Sequence, residues 1–247
     1  MDVVAIFGPT GVGKTAVALA LAQRLQAREE DPIAVSCDAL QVYEGLPILT
    51  GAATAKEQQT LEHRLVGFVP ITEPFSVGDY MPLAHAEIDR ALAAGRRPIV
   101  VGGTGLYLRA ALAELSLVKA PPETDESELW SPETRHPTAI FGLVMDRERL
   151  YERIDARVDA IVAAGARAEV ERAQAIGPSR TAGKALGFSQ LLAGDVDDMK
   201  RRSRNYARRQ MTWMRKIPGV RRLDMEELSP DEAADAIAGV LDGRGAA

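Results

Sequence analysis

The chain has 247 residues, 46% of them apolar and 26% charged, with a net charge of −5. That length buries a sizeable core in one large domain, and the composition is that of a soluble globular protein. No apolar run approaches the roughly 20 residues that span a bilayer. The one cysteine, Cys37, excludes a disulfide framework and fits a reducing cytoplasm. The three histidines, His63, His85 and His136, lack metal-ligand spacing. The charge is unevenly spread. Residues 199–222 hold ten cations and no acid, which leaves −15 for the remainder and points to a large anionic partner.

Val3–Phe7 is an apolar run that reads as the first strand, so no signal peptide is expected and a cytoplasmic location follows. Directly after it comes Gly8-Pro9-Thr10-Gly11-Val12-Gly13-Lys14-Thr15, a complete G-x-x-x-x-G-K-[ST] phosphate loop between a strand and a helix. Gly11 and Gly13 let the backbone curl so that its N–H groups point at an anion. The helix Lys14–Arg28 adds its positive N-terminal end. Lys14 supplies a mobile cation, and the Thr15 hydroxyl is placed to hold Mg²⁺. The loop therefore predicts binding of a di- or triphosphate.

Ile33–Ser36, Leu65–Val69, Pro98–Val101 and Ile140–Val144 read as further strands, and Gly78–Ala94 as a helix. Strands alternating with helices predict an α/β fold, a parallel sheet of the P-loop NTPase type covered on both faces, with a helical C-terminal part. Ligands of such sheets sit at the carboxyl ends of the strands. Asp38 falls there, as a general base, a Mg²⁺ ligand or a helix cap. So does Gly102-Gly103-Thr104-Gly105, whose glycines admit another chain or a ligand and whose Thr104 either contacts a reacting group or caps the helix Leu106–Leu115.

Residues 118–137 carry four prolines and five acids with little periodicity, and read as a loop. From Arg147 to Leu241 the pattern is helical, with breaks near Gly165, Gly177-Pro178, Gly194 and Pro218-Gly219. Within it, Met199, Ser203, Tyr206, Gln210, Trp213 and Ile217 form one helical stripe, in which Tyr206 and Trp213 read as core. Arg201, Arg204, Arg208 and Arg215 occupy the opposite side, suited to phosphate-backbone contact or to neutralising a leaving diphosphate.

Five ordered blocks together resemble the tRNA dimethylallyltransferases: Gly8–Thr15, Ser36–Tyr43, Val101–Leu108, Thr181–Phe188 and Arg204–Arg215. The resemblance implies transfer of a dimethylallyl group from dimethylallyl diphosphate to the exocyclic amine of the adenosine 3′ of the anticodon in tRNA. It implies that Gly8, Thr10, Gly11, Val12, Gly13, Lys14 and Thr15 hold the donor's diphosphate with Mg²⁺ on Thr15. Asp38 would be the base on the amine, and Thr104 would contact the reacting centre. Asp38, Ala39, Leu40, Gln41, Lys184, Arg208, Arg209 and Arg215 would touch the anticodon stem-loop. An arginine of the basic helix is expected beside the diphosphate, and a monomer is expected. The family usually carries a long helical insertion that grips the anticodon stem-loop. Here residues 118–137 stand in its place, between core segments 1–117 and 138–247. That departure leaves two rivals: a prenyltransferase acting on free adenine nucleotide, and a nucleotide-dependent RNA-binding switch.

Overall fold

The computed structural model describes residues 2–116 and 128–243. Strands β1 (Val3–Phe7), β2 (Pro32–Ser36), β3 (His63–Arg64), β4 (Arg97–Gly102), β5 (Thr138–Val144) and β6 (Arg221–Asp224) form one sheet in the order β3-β2-β4-β1-β5-β6. Every neighbouring pair is parallel. The ten α-helices among the described residues are α1 (Lys14–Gln26), α2 (Pro47–Thr50), α3 (Ala55–Thr60), α4 (Val77–Ala93), α5 (Gly105–Leu112), α6 (Arg147–Ala163), α7 (Ala166–Ile176), α8 (Phe188–Ala193), α9 (Val196–Lys216) and α10 (Pro230–Leu241).

The centre of the sheet is apolar on both faces because both faces are covered. All five residues of β1 are buried. Val4 and Ile6 pack with Leu21 of α1, Leu150 of α6 and Ile237 of α10. Val3, Ala5 and Phe7 face the other way, onto Ile88 of α4, Leu108 of α5 and Met214 of α9. A third cluster joins Tyr43, Leu46 and Leu49 to Val170 of α7, Leu191 of α8 and Met199 of α9. The α/β phosphate-loop fold read from the sequence is the one observed.

Two elements differ from the sequence reading. The apolar run Leu65–Val69 is not the edge strand; β3 ends at Arg64. Leu65 turns into the left-handed region at φ 60°, and the chain then folds back on residues 41–44. Phe68 and Val69 N–H groups donate to Val42 O at 2.9 Å, and Glu44 N–H donates to Val69 O at 2.9 Å. The run is apolar because Val69 closes the third cluster, not because it crosses the sheet. Conversely, β6 lies where only helix was expected. Arg221 and Arg222 pair with Phe141 and Gly142 of β5, so they belong to the sheet edge and not to the basic helix.

The register brings three chain segments level. Ile6 and Ser36 both pair with Val101, and Phe7 pairs with Gly102. The strands β1, β2 and β4 therefore deliver the phosphate loop, Asp38 and the 102–105 glycine segment to one edge. Of the segment read as a loop, residues 118–127 lie outside the described residues. Residues 128–137 pack on the core: Arg135 N–H donates to Leu112 O at 2.8 Å, and the Trp130 ring lies 5.0 Å from that of Trp213.

Candidate active site

A cleft of about 560 Å³ opens at the carboxyl edge of the sheet. The phosphate loop forms one wall. Gly13 adopts φ 110°, a left-handed conformation that a side chain would strain, and this bends the loop into the start of α1. Thr10, Gly11, Gly13, Lys14 and Thr15 line the cleft. Gly8 and Val12 do not; Val12 is fully buried in the core and anchors the loop from behind. Lys14 folds back so that its ammonium donates to Gly8 O at 3.0 Å and Pro9 O at 2.9 Å. The residue is half-buried, but its charged end is enclosed by the loop. That burial pulls the pKa down to about 8, with Asp38 opposing the shift and Arg157 adding to it.

Asp38 stands opposite, just past β2. Its Oδ1 accepts from Leu40 N–H at 2.9 Å, so the local cap is real. Its Oδ2 accepts no hydrogen bond among the described residues. Thr104 meets the same corner. Its Oγ1 accepts from Ala39 N–H at 3.3 Å and lies 3.3 Å from the Tyr206 hydroxyl. Burial and the nearby Asp38 push the Tyr206 hydroxyl up to about 12, so it stays protonated and able to donate. Burial likewise pushes the Cys37 thiol up, which makes it an inert packing group.

The cations facing the phosphate loop differ from expectation. They come from α6, not from the basic helix. Arg153 and Arg157 line the cleft. The Arg157 guanidinium packs against Gly51, where any side chain would collide with it. Burial lowers its pKa, and Asp38 counteracts that. Two cations four residues apart, bordering the buried stripe Leu150, Ile154 and Val158, are the only sequence signal. Many solvated helix faces carry the same pattern.

Nor is the basic segment ten free cations. Arg201 and Arg202 pair with Asp198, Lys200 with Asp159 at 2.7 Å, and Arg204 with Asp155 at 2.6 Å. Lys216 lies 4.9 Å over Trp130, and Arg209 lies 5.5 Å over the Tyr206 ring. Arg208, Arg209 and Arg215 are exposed and make no ion pair among the described residues. The inner stripe of α9 is only partly core. Tyr206, Ser203, Met199 and Gln210 line the cleft, and the Gln210 carboxamide accepts from Thr10 N–H and donates to Gly103 O, each at 2.8 Å.

The other expected tRNA contacts spread around this site. Leu40 and Gln41 line the cleft. The Gln41 amide is already engaged, accepting from Ser36 Oγ at 3.1 Å and donating to Gly51 O at 3.2 Å. Tyr43 donates to Thr181 Oγ1 at 2.6 Å, which sets the Thr181–Phe188 block beside Asp38–Tyr43; Lys184 there is exposed.

The isopentenyl transferase family model matches residues 1–72, and the IPP transferase model matches 41–134 and 119–217. A tRNA dimethylallyltransferase of Rhodospirillum centenum is 35% identical, over 90% of this chain and 91% of its own length. The chain belongs to the tRNA dimethylallyltransferase family. Another member, from Limosilactobacillus fermentum, is 30% identical over 98% of each chain. Its alignment runs over 310 positions against the 247 residues here, so at least 63 positions face a gap in this chain. The IPP transferase match breaks into two pieces that overlap at 119–134. The crystal structure of the tRNA isopentenylpyrophosphate transferase of Bacillus halodurans superposes with a TM-score of 0.84, at 29% identity, covering 98% of this chain and 96% of that one.

Proposed function

We propose that this family member transfers a dimethylallyl group from dimethylallyl diphosphate to the exocyclic amine of the adenosine 3′ of the anticodon in tRNA, acting as a monomer. The observation that carries the reading is the meeting, in one cleft, of a cationic phosphate cradle and a carboxylate with a free oxygen. Lys14, Arg153, Arg157 and the loop N–H groups hold the diphosphate and stabilise its charge as it leaves. Leu40, Leu49, Val158, Ile161, Leu186 and Met199 line the same cleft and give the five-carbon tail an apolar wall.

The adenine amine lone pair attacks C1 of the dimethylallyl group. The C1–O bond breaks and its electron pair leaves with the diphosphate. The amine, positively charged on bond formation, gives its proton to Asp38 Oδ2. Thr104, braced by Ala39 and Tyr206, positions the amine. The target base leaves its stack to reach this depth. Thr15 would hold Mg²⁺ together with diphosphate oxygens and water. That donor set fits the ion, since the Thr15 hydroxyl at the cleft wall is a hard oxygen donor and Mg²⁺ readily shares its shell with phosphate. The bound ion would supply further neutralisation of the leaving group.

On α9, Arg208, Arg209 and Arg215 present an exposed cationic face to the anticodon stem-loop. The test is incubation with labelled dimethylallyl diphosphate and either tRNA or AMP. Label is expected in tRNA, with no inorganic phosphate released from ATP. Label in AMP alone would move the acceptor to free nucleotide. ATP hydrolysis without label transfer would make the chain a nucleotide switch.

A further inference from the structure

One side chain ties the two halves of the cleft together. Gln210 is 3% exposed, and its carboxamide reaches from α9 to both the phosphate loop and the 102–105 segment, which Tyr206, one turn earlier, also touches through Thr104. Thr10 N–H can only donate and Gly103 O can only accept, so the amide's orientation is fixed by its partners. A primary amide satisfies both at once, its oxygen accepting and its nitrogen donating. Room for it exists because residue 103 is glycine: a Cβ there would lie 2.2 Å from Gln210 Nε2.

The two anchor points have distinct chemistry. Thr10 belongs to the loop that carries Lys14 and Thr15. Thr10, which the family resemblance places among the residues that hold the diphosphate, has its N–H committed to Gln210. Gly103 precedes Thr104, whose Oγ1 reaches Ala39 N–H beside Asp38. The result is a continuous path of three hydrogen bonds joined by the Gly103–Thr104 and Asp38–Ala39 peptide links, from the leaving-group cradle to the base. We infer that Gln210 is a positioning residue for the transfer step: it fixes the separation between bound diphosphate and the acceptor amine, and contributes little to binding either substrate. This rests on the reading of the cleft as a prenyl-transfer site. A displacement at C1 needs the nucleophile and the leaving group aligned on opposite sides, and a misplacement of about 1 Å costs on the order of a hundredfold.

The test compares the full chain with Gln210→Met, which keeps the volume and loses both hydrogen bonds, and with Gln210→Glu. Single-turnover transfer, donor affinity by titration and thermal melting are measured for each. Gln210→Met is expected to lose about 10- to 100-fold in transfer rate while donor and tRNA affinities stay within about threefold. Gln210→Glu keeps the acceptor for Thr10 but turns a carboxylate onto Gly103 O. Protonation restores the donor, so its rate relative to the unmodified enzyme is expected to climb as pH falls from 8 to 6. A role in packing alone moves the melting temperature and not that ratio. Transfer by Gln210→Met within about twofold of the unmodified enzyme overturns the inference. So does a Gln210→Glu ratio flat in pH, which decides the matter if Gln210→Met fails to fold. If the unmodified enzyme transfers nothing to tRNA, the proposed function and this inference fall together; if it transfers and the variants match it, only the inference falls.

Discussion

Donor binding should carry the signature of Lys14 in its pH dependence. Burial holds the Lys14 ammonium at a pKa of about 8 in the free enzyme. Binding a diphosphate puts an anion beside that ammonium and raises its pKa, so above pH 8 binding takes up a proton. Each pH unit beyond 8 removes about tenfold of the charged form, so affinity for dimethylallyl diphosphate should fall about thirtyfold between pH 7 and 9.5. The ceiling is the whole value of the charge-assisted contact, about 1.5–3 kcal/mol. The diphosphate stays ionised over this range, so it does not explain a loss. Arg157 sharpens the test, because it repels Lys14. Arg157→Gln should weaken binding at every pH by about 10- to 100-fold, through the lost charge-assisted contact. The same change should shift the pH edge upward, because Lys14 loses a positive neighbour. Lys14→Met should abolish the edge. Calorimetric titrations in two buffers of different ionisation heat give both the affinity and the proton count. A flat affinity from pH 7 to 9.5 with no proton uptake would refute the placement of Lys14 at the diphosphate.

Asp38→Asn keeps the Oδ1 cap on Leu40 and removes the base. Turnover should fall about 10²- to 10⁴-fold with donor affinity nearly intact; a collapse of donor and Mg²⁺ affinity instead would make Asp38 a metal ligand. Arg208→Ala and Arg215→Ala should each lower the slope of log tRNA affinity against log salt by about one, whereas Arg204→Ala, already paired with Asp155, should change it little. Equal slopes in all three would place the RNA elsewhere. The relatives' extra positions have no counterpart here, so tRNA binding should be weak and sequence-tolerant, about 10⁻⁴ to 10⁻⁶ M at physiological salt. Donor binding should be unaffected, and a competition between tRNAs with and without the target adenosine measures the selectivity. Grafting a helical insertion between Leu117 and Pro121 should restore it. Tight, selective binding by the chain as it stands would locate selectivity in the core.

Local rules wrote much of this protein into its sequence. The phosphate loop, the strand before it and α1 were legible because apolar periodicity, glycine position and the Lys-Thr pair all act within a dozen residues. Asp38 and Thr104 were legible because each follows an apolar run, and a parallel sheet carries the ends of its strands to one edge. The run Leu65–Val69 misled because apolar side chains report burial, and burial came from packing on residues 41–44, outside any strand. Strand β6 was hidden because Arg221 and Arg222 sit at an exposed sheet edge, where two cations carry no strand signal. Only the tertiary structure decided which charges are free. Asp155 and Asp159, 49 and 41 residues away, neutralise Arg204 and Lys200 of the basic helix, while Arg153 and Arg157 of the same helix α6 turn into the cleft. Only the tertiary structure made Gln210 a link between two loops. Such pairings depend on elements brought together across the whole fold, and a pattern read at helical spacing records which face a residue takes, not what waits opposite it.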